Sequence, residues 1–331
     1  MPRIGIILNN IGTPNSYSTK DVANYLKEFL MDKDIIGAPL PIRYMLVHGW
    51  IAPFRSPKSA ENYKKIWTEQ GSPLMVHTRR LMLGLQEKLG VDFQVEIGMR
   101  YGRPNIADAY ERLVKNNVEK IYFFPLYPQF AEATTGSANK KINKIQTQIL
   151  QKLKSINEDL KTPILSFENE FYRENFFLNA YKNFLQTELE KIPDWQSCHF
   201  VFSYHGLPKK RMNQKYSDQC YETTSLISKS ILISENQITT CFQSRLGPIE
   251  WLQPYTEPSI ALLAQKGVKR MIVLCPSFVA DCIETLEEIG IGCKEVFGAN
   301  GGKDFYLIPC LNSESTWIDN LSRHIQEQHR I

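Results

Sequence analysis

The sequence predicts an α/β protein made of two Rossmann-like domains, in which helices flank parallel sheets. Apolar runs of strand length alternate with stretches of helical periodicity along the 331 residues. Several of the runs are apolar at successive positions, as in strands buried on both faces of a parallel sheet. A single core stops growing near ~250–300 residues, so two domains are expected. We place them at 1–165 and 166–314, and the final helix, 315–331, could pack on either one.

The strands and the longest helix can be read from these patterns. Seven strands are predicted, at 4–9, 93–99, 121–126, 164–167, 199–203, 240–243 and 271–275. A long helix should begin at Thr134 or Thr135. Its apolar stripe consists of Ile142, Ile145, Ile149, Leu153 and Ile156. Strands and helices in alternation imply right-handed βαβ units, whose ligands bind at the carboxyl ends of the strands.

Composition and motifs exclude several functional classes. A formal charge of +4 is too small to indicate a nucleic-acid partner. No G-x-G-x-x-G follows a strand and no G-x-x-x-x-G-K is present, which argues against dehydrogenases and P-loop enzymes. Seven cysteines without a C-x-x-C favour reduced structural thiols over a disulfide framework or a zinc site. The first residues, MPRIGIILNN, lack the pattern of a signal peptide, so we expect a cytoplasmic protein.

The segment 35–54 is rich in large apolar side chains but is broken by prolines and an arginine, so it cannot span a membrane. It has two interpretations. One is a buried loop with a short helix. The other is an apolar lip exposed to an apolar ligand or to a membrane surface, such as peripheral contact with the inner membrane.

Two segments after predicted strands carry candidate catalytic groups. His205 follows an apolar strand and precedes a turn, although a lone histidine is more often structural. Asp281, Glu284 and Glu288 are spaced to share one face of a helix, which could equally be a solvated face. Together, imidazole and carboxylate suit Fe²⁺ and other divalent metals without the tight binding of thiolates.

Four further loops, at 8–14, 99–104, 125–137 and 242–256, follow predicted strands. Taken singly, their polar residues are explained by the formation of turns and helix caps. Five motifs occur along the chain, in the order RSPKSAENYKKIWTEQGSPL, PLYPQ with TTGS, SYHGLP, FQSRLGPIEWLQPYT and PSFVADCIETLEEI. Over nearly the whole chain, these motifs resemble those of the ferrochelatases, the terminal enzymes of haem synthesis.

The resemblance implies two four-stranded parallel sheets enclosing a porphyrin cleft, with His205 and Glu284 on opposite sides of the ring. These two residues match catalytic positions that could also be the first metal ligands, and Glu288 matches a second acidic position on the same helix. The positions matched as substrate-binding are Ile11, Arg55, Lys58, Tyr63, Ser72, Arg100, Tyr101, Gln129, Arg245 and Trp251. Among these, Arg55, Lys58, Tyr63 and Ser72 match positions that meet the propionates.

The resemblance also implies the reaction and its partners. Fe²⁺ and protoporphyrin IX would be the substrates, and no cofactor would be required. Ile11 stands where members using coproporphyrin often carry Tyr, which favours protoporphyrin IX. The chain lacks the Cys-rich C-terminal extension that binds a [2Fe–2S] cluster in some relatives, so no cluster is expected, although Cys275, Cys282 and Cys293 are near enough in sequence to hold one.

Two departures from the family pattern concern the acidic helix. Cys282 replaces the histidine of many animal and fungal members, and Gly292 replaces a further glutamate found in some members. The alternatives are a coproporphyrin ferrochelatase, a chelatase for another metal and a non-catalytic tetrapyrrole or metal carrier. A carrier would not need acids opposite a base.

Overall fold

A computed structural model describes residues 3–155, 161–209, 214–245, 247 and 249–329. The chain divides into two units between Asn169 and Glu170. Each unit contains one four-stranded sheet in which every pairing is parallel. The predicted fold class is therefore confirmed.

The sheet of the first unit has the order β2-β1-β3-β4. Its strands are β1 Ile4–Asn10, β2 Phe93–Met99, β3 Lys120–Pro125 and β4 Ile164–Phe167. Its helices are α1 Thr19–Leu30, α2 Leu40–Tyr44, α3 Ala52–Ile66, α4 Pro73–Leu89, α5 Ile106–Lys115 and α6 Ser137–Lys154. Every residue of β1 is buried because helices cover both faces of a parallel sheet.

Close packing explains a glycine in β1. A Cβ atom on Gly5 would lie 2.7 Å from Cδ1 of Leu113, so α5 can approach the sheet only if this position has no side chain. Helix α5 itself begins with a capping box, in which the Asn105 side chain accepts from the backbone N–H of Asp108 and the Asp108 side chain accepts from that of Asn105. The capping box therefore defines the start of α5, and Gly5 lets the Leu113 side of the helix pack closely on β1.

The start of α6 differs from the prediction. Thr134 and Thr135 lie in a π-helical turn, Glu132–Gly136, and the α-helix begins at Ser137. The predicted stripe does face the core: Ile142, Ile145 and Leu153 are buried, and Ile149 packs against them. Ile156, the last predicted member of the stripe, lies outside the described residues.

The segment 35–54 forms α2, a π-helical segment (Met45–Ile51) and the start of α3. Its large apolar side chains point mostly into solvent. Met45 is 68% exposed and Phe54 is 67% exposed, and the other strongly exposed members are Leu40, Ile42, Tyr44, Leu46 and Trp50. This exposure contradicts the interpretation as a buried loop and favours the exposed lip. Among the described helices, none combines the length and apolar character needed to cross a bilayer.

The sheet of the second unit has the order β6-β5-β7-β8. Its strands are β5 His199–His205, β6 Ile238–Gln243, β7 Arg270–Leu274 and β8 Asp304–Leu307. Its helices are α7 Asn175–Glu190, α8 Gln214–Ser230, α9 Thr256–Gln265, α10 Lys294–Ala299 and α11 Ser315–Gln328. Short 3₁₀ turns occur at Trp195–Ser197 and Glu235–Gln237, and a π-helical segment, Glu284–Cys293, precedes α10.

The sequence does not establish two features of this unit, an eighth strand and the packing of the final helix. Strand β8 was not predicted, because its four residues, DFYL, are only partly buried and form no long apolar run. Helix α11 packs within the second unit, where the fully buried Trp317 lies among Phe171, Phe176 and Phe177. All seven cysteines also belong to this unit and are free and buried.

Candidate active site

Both sheets change winding direction at their centre. The first strand of each unit pairs with the second strand on one side and with the third on the other, so the loops after the two central strands diverge. Ligands of open α/β sheets bind at such points, beyond the carboxyl ends of the strands. In the second unit these loops follow β5, which ends at His205, and β7, which leads to Glu284.

His205 is held by hydrogen bonds at three atoms. Its Nδ1 lies 2.8 Å from the carbonyl oxygen of Gly206, its backbone N–H donates to Oγ of Ser277 over 3.1 Å, and its carbonyl accepts from the hydroxyl of Tyr216 over 2.6 Å. A carbonyl can only accept, so this geometry assigns the proton of the neutral ring to Nδ1. Nε2 then carries the lone pair, which can accept a proton or bind a metal.

The acidic residues lie on the π-helical segment Glu284–Cys293, and both Glu284 and Glu288 are half-buried. Ser244, directly after β6, donates its N–H to Oε1 of Glu288 over 2.7 Å and its hydroxyl to Oε2 over 2.5 Å. Gln243 Nε2 donates to the carbonyl of Glu284 over 2.8 Å. The end of β6 therefore contacts both acidic positions.

Glu288 interacts electrostatically with both His205 and Glu284. Burial raises the pKa of the Glu288 carboxyl, and the hydrogen bonds from Ser244 and a positive charge on His205 oppose that rise. The neighbouring charge of Glu284 raises the Glu288 pKa further. Glu288 is therefore within electrostatic range of the other two predicted catalytic residues.

Asp281 does not join this row, so the prediction that it shares the carboxylate face is wrong. It precedes the π-helical segment, and its buried carboxylate accepts from the Thr285 hydroxyl over 2.9 Å and from Asn312 Nδ2 over 2.7 Å. The backbone N–H of Cys310 also donates to it, over 3.3 Å. These bonds join the start of the helix to the loop after β8, which is a structural role.

The two motif segments SYHGLP and FQSRLGPIEW are direct neighbours. Leu252 N–H donates to the carbonyl of Leu207 over 2.9 Å, and Pro208 and Trp251 form an antiparallel bridge. A Cβ on Gly206 would lie 2.7 Å from the carbonyl oxygen of Gln243, so glycine is required directly after His205. Trp251 is buried beside this turn.

Arg245 is exposed, and its guanidinium lies 5.0 Å from the ring centroid of Tyr255. That distance is within the range of a cation–π contact. Within the predicted pocket wall, the second unit therefore presents Arg245 to solvent, whereas Trp251 supports the turn after His205.

In the first unit, Arg100 and Tyr101 converge on Asp32. The Asp32 carboxylate pairs with the Arg100 guanidinium and accepts from the hydroxyls of Tyr101 and Ser137, each over 2.7 Å. Burial alone would raise the pKa of Asp32, but the donors from Asp34, Ser137, Tyr101 and Arg100 together lower it. Burial raises the pKa of Tyr101 well above its ordinary value. Asp32 is thus the centre of a polar cluster.

The remaining predicted residues of the first unit fall into two groups. Ile11 accepts the Tyr101 N–H at its carbonyl over 2.9 Å, and Ser72 accepts the hydroxyl of Thr13 over 2.8 Å. Gly12 lies between these contacts with a φ of +105°, and a Cβ there would be 1.8 Å from the Tyr101 carbonyl oxygen. The loops after β1 and β2 can pack this closely only with glycine at this position.

The second group lies on α3 and in the loop after β3. Arg55 and Lys58, at i and i+3, are exposed on α3. Tyr63 is buried, with its ring centroid 6.0 Å from that of Trp67, so it does not share their exposed face. Gln129 is buried as well. The first unit therefore places Ile11, Arg100 and Tyr101 in one cluster of loops and exposes the cations Arg55 and Lys58 on α3.

Comparison with known proteins decides the family. A family model described as Ferrochelatase matches residues 3–329. The chain belongs to the ferrochelatase family. Among its relatives, the ferrochelatase of Legionella pneumophila is 39% identical, over 98% of this chain and 99% of the relative. That of Bdellovibrio bacteriovorus is also 39% identical, over 97% and 98%, and that of Coxiella burnetii is 35% identical, over 97% and 92%.

Solved structures support the fold assigned to this member of the ferrochelatase family. SirB from Bacillus subtilis with Fe³⁺ superposes with a TM-score of 0.58 at 11% identity, covering 98% of this chain and 95% of that one. CbiX, described as the terminal enzyme of sirohaem biosynthesis in denitrifying bacteria, superposes with a TM-score of 0.50 at 9% identity, covering 98% of each chain. At this identity the likeness concerns the fold alone.

Several residues of the site were missed by sequence reasoning. Ser244 and Gln243 directly end β6, so the strand-end rule that selected His205 could also have selected them. Tyr216 and Asp32 carry no such signal, because one lies in α8 and the other after α1. Within the described ranges, no set of three or more His, Cys, Asp or Glu side chains is arranged to hold a metal ion.

Proposed function

We propose that this chain inserts Fe²⁺ into protoporphyrin IX to give protohaem, the last step of haem biosynthesis. The proposal rests on one observation in a chain of the ferrochelatase family: the bond from Nδ1 of His205 to the Gly206 carbonyl leaves the lone pair on Nε2, and His205 interacts electrostatically with Glu288. A porphyrin must lose two N–H protons before its four nitrogens can bind the metal. An imidazole held in place with a lone pair on Nε2 is a suitable acceptor for those protons.

The proposed mechanism assigns the proton to a defined atom. Nε2 of His205 accepts a pyrrole proton, while Nδ1–H stays bonded to the Gly206 carbonyl 2.8 Å away. The imidazolium that forms is stabilised by the carboxylate of Glu288, and Glu284 with Glu288 relays charge along the π-helical segment. Iron enters from the opposite face of the ring, and two protons leave for each Fe²⁺ bound.

A second version of the mechanism uses the same residues as ligands. His205 and Glu284 supply a borderline nitrogen and a hard oxygen, which would bind Fe²⁺ first and release it to the porphyrin. Both versions require a ring distorted enough to expose its nitrogen lone pairs, so that binding energy is directed at the transition state.

Arg55 and Lys58 are proposed to bind the propionates, because both cations are exposed on one face of α3. Ile11 supplies an apolar surface suited to the vinyl groups of protoporphyrin IX. Arg100, Tyr101 and Gln129 are proposed to form the wall behind it, with Arg100 compensated by Asp32. Arg245 and Trp251, in the second unit, are proposed as further porphyrin-binding residues.

The test is an anaerobic chelation assay with Fe²⁺ and protoporphyrin IX that follows the loss of porphyrin fluorescence. We expect His205→Ala to lower kcat by about 10²–10⁴-fold, the usual contribution of a general base, with porphyrin binding retained. His199→Ala is the matched control, because this histidine lies at the other end of β5, bonded to Thr239 over 2.8 Å. Wild-type chelation by His205→Ala would refute both versions of the mechanism.

The same assay separates the alternatives. A carrier would quench porphyrin fluorescence stoichiometrically, without multiple turnovers. A coproporphyrin enzyme would show a higher kcat/KM with coproporphyrin than with protoporphyrin IX, and a chelatase for another metal would prefer that metal to Fe²⁺.

We further propose that the lip, residues 35–54, makes peripheral contact with the inner membrane from the cytoplasmic side. The support is its array of exposed apolar side chains, led by Met45 and Phe54. Sedimentation with phospholipid vesicles tests this, and Met45→Ser with Phe54→Ser should lower the bound fraction. Leu83→Ser is the control, because Leu83 is also 57% exposed but lies on α4. Equal binding by both variants would refute the contact.

A further inference from the structure

Ser244 has an unusual backbone for a residue with a side chain. Its φ is +66°, in the left-handed region that glycine adopts most readily. The residue follows β6 directly, where the strand ends at Gln243. Strained residues at the ends of strands persist only where surrounding contacts determine them, and they cluster at functional sites.

Hydrogen bonds from Ser244 to Glu288 hold this backbone conformation. Both donors of Ser244, its backbone N–H and its hydroxyl, point to the same carboxylate and bind separate oxygens, at 2.7 and 2.5 Å. A third donor, Nε2 of Gln243, lies 3.5 Å from Oε2. Charge-assisted hydrogen bonds of this kind are shorter and stronger than neutral ones, so they can hold a strained turn.

Gln243 fixes this turn to the sheet. Its Nε2 donates to the Glu284 carbonyl over 2.8 Å, while its Oε1 accepts from the Ser203 hydroxyl over 2.7 Å. Ser203 in turn lies 2.8 Å from the hydroxyl of Thr256. Gln243, Ser203 and Thr256 are all at least 96% buried. The network therefore connects both acidic positions of the π-helical segment to the rigid core of the second sheet.

We propose that Ser244 is a positioning residue for chelation, acting through Glu288. It holds the carboxylate of Glu288 at a fixed place at the end of β6, through hydrogen bonds to both carboxylate oxygens. The inference rests on the proposed function, because it takes Glu288 to act in the reaction. Hydrogen-bond donors that are already in place hold such a carboxylate in its reactive orientation before the substrate binds.

Single and double variants of the full chain test the inference by steady-state chelation. Ser244→Ala removes the hydroxyl, and Ser244→Gly removes it while relieving the left-handed backbone. Both should lower kcat about tenfold with an unchanged KM for protoporphyrin IX, although Ser244→Gly should melt at a higher temperature than Ser244→Ala. Thr240→Val is the control, because it removes a hydroxyl from the same strand whose partner is Thr224, 3.2 Å away. It should retain wild-type kcat.

The double variant Ser244→Ala/Glu288→Gln identifies the route of the effect. If Ser244 acts through Glu288, its substitution should cause no further loss of kcat once Glu288 is replaced. Additive losses would overturn the inference, as would wild-type kcat in Ser244→Ala and Ser244→Gly beside an impaired Glu288→Gln. A Glu288→Gln protein with wild-type kcat would instead refute the proposed role of Glu288, and the inference with it.

Discussion

Replacing Asp32 tests the polar cluster of the first unit. Its side chain is 7% exposed and that of its partner Arg100 is 13% exposed, so the pair is almost removed from water. Asp32→Ala would leave the guanidinium without its counter-charge, and the hydroxyls of Tyr101 and Ser137 without their shared acceptor. Removing one member of a buried pair costs about 3–5 kcal/mol. We expect about 3 kcal/mol here, the lower end, because Arg100 keeps some contact with solvent.

Hydrogen exchange measured by mass spectrometry can assign this loss to the first unit. Amides of β1 and β2 that exchange through unfolding of the first unit should exchange about a hundredfold faster in Asp32→Ala, since each 1.4 kcal/mol is about tenfold. Amides of β5 and β7 in the second unit should be unchanged.

Two further variants complete this experiment. Asp34→Ala is the matched control, because its pair with Lys140 spans 3.4 Å and Lys140 is 54% exposed, so the cost should stay below about 1 kcal/mol. Asp32→Ala/Arg100→Met should recover part of the loss by removing the uncompensated charge. A loss below about 1 kcal/mol in Asp32→Ala, or a double variant less stable than Asp32→Ala, would refute the reasoning.

Three other predictions concern the second unit. The raised pKa of Glu288 means that folding favours the protonated form of this side chain. The free energy of unfolding of the wild type should therefore fall as pH rises from the ordinary pKa of 4.5 through the raised pKa. Urea unfolding should show that Glu288→Gln becomes more stable relative to the wild type over this pH range. Tyr216→Phe removes the donor 2.6 Å from the His205 carbonyl and should lower kcat about tenfold with unchanged porphyrin affinity. Trp317→Ala should cost about 3–5 kcal/mol, because this fully buried side chain would leave a large cavity, and the loss should appear as faster exchange in α7.

Each of these predictions has a contradicting outcome. A stability difference between wild type and Glu288→Gln that is constant with pH would show that Glu288 titrates normally. For Tyr216→Phe, a weakened porphyrin affinity at unchanged kcat would place its effect in binding rather than in the orientation of His205. Unaltered exchange in α7 of Trp317→Ala would mean that α11 contributes little to the second core.

The pattern of apolar runs predicted most of the fold because a parallel sheet buries both faces of its strands. Strand β1 is apolar over its first residues and was predicted, whereas β8, half-exposed at the edge of its sheet, has no such run. The apolar lip has the composition of a core segment, and only the tertiary structure shows that it faces solvent.

The candidate site, like the fold, could be predicted from the sequence only in part. His205 could be predicted because a strand and a turn mark its position in the sequence. The spacing of Asp281, Glu284 and Glu288 assumes a continuous α-helix, but the segment is π-helical and starts only at Glu284. Asp32 could not be predicted, since its partners lie 68 and 105 residues further along the chain. Such long-range partners leave no periodic signal.

The seven buried cysteines bear on how a protein of this family handles ferrous iron. Burial is the largest cause of a raised thiol pKa at each of them, for example to about 12 at Cys241. Only the deprotonated sulfur is a strong nucleophile or a good ligand for soft metals. The thiols of the second unit should therefore stay protonated and unreactive. Ferrous iron that reaches this unit would bind imidazole and carboxylate groups in preference to sulfur. Oxidants formed from iron and oxygen would react slowly with these thiols, because few of them are deprotonated.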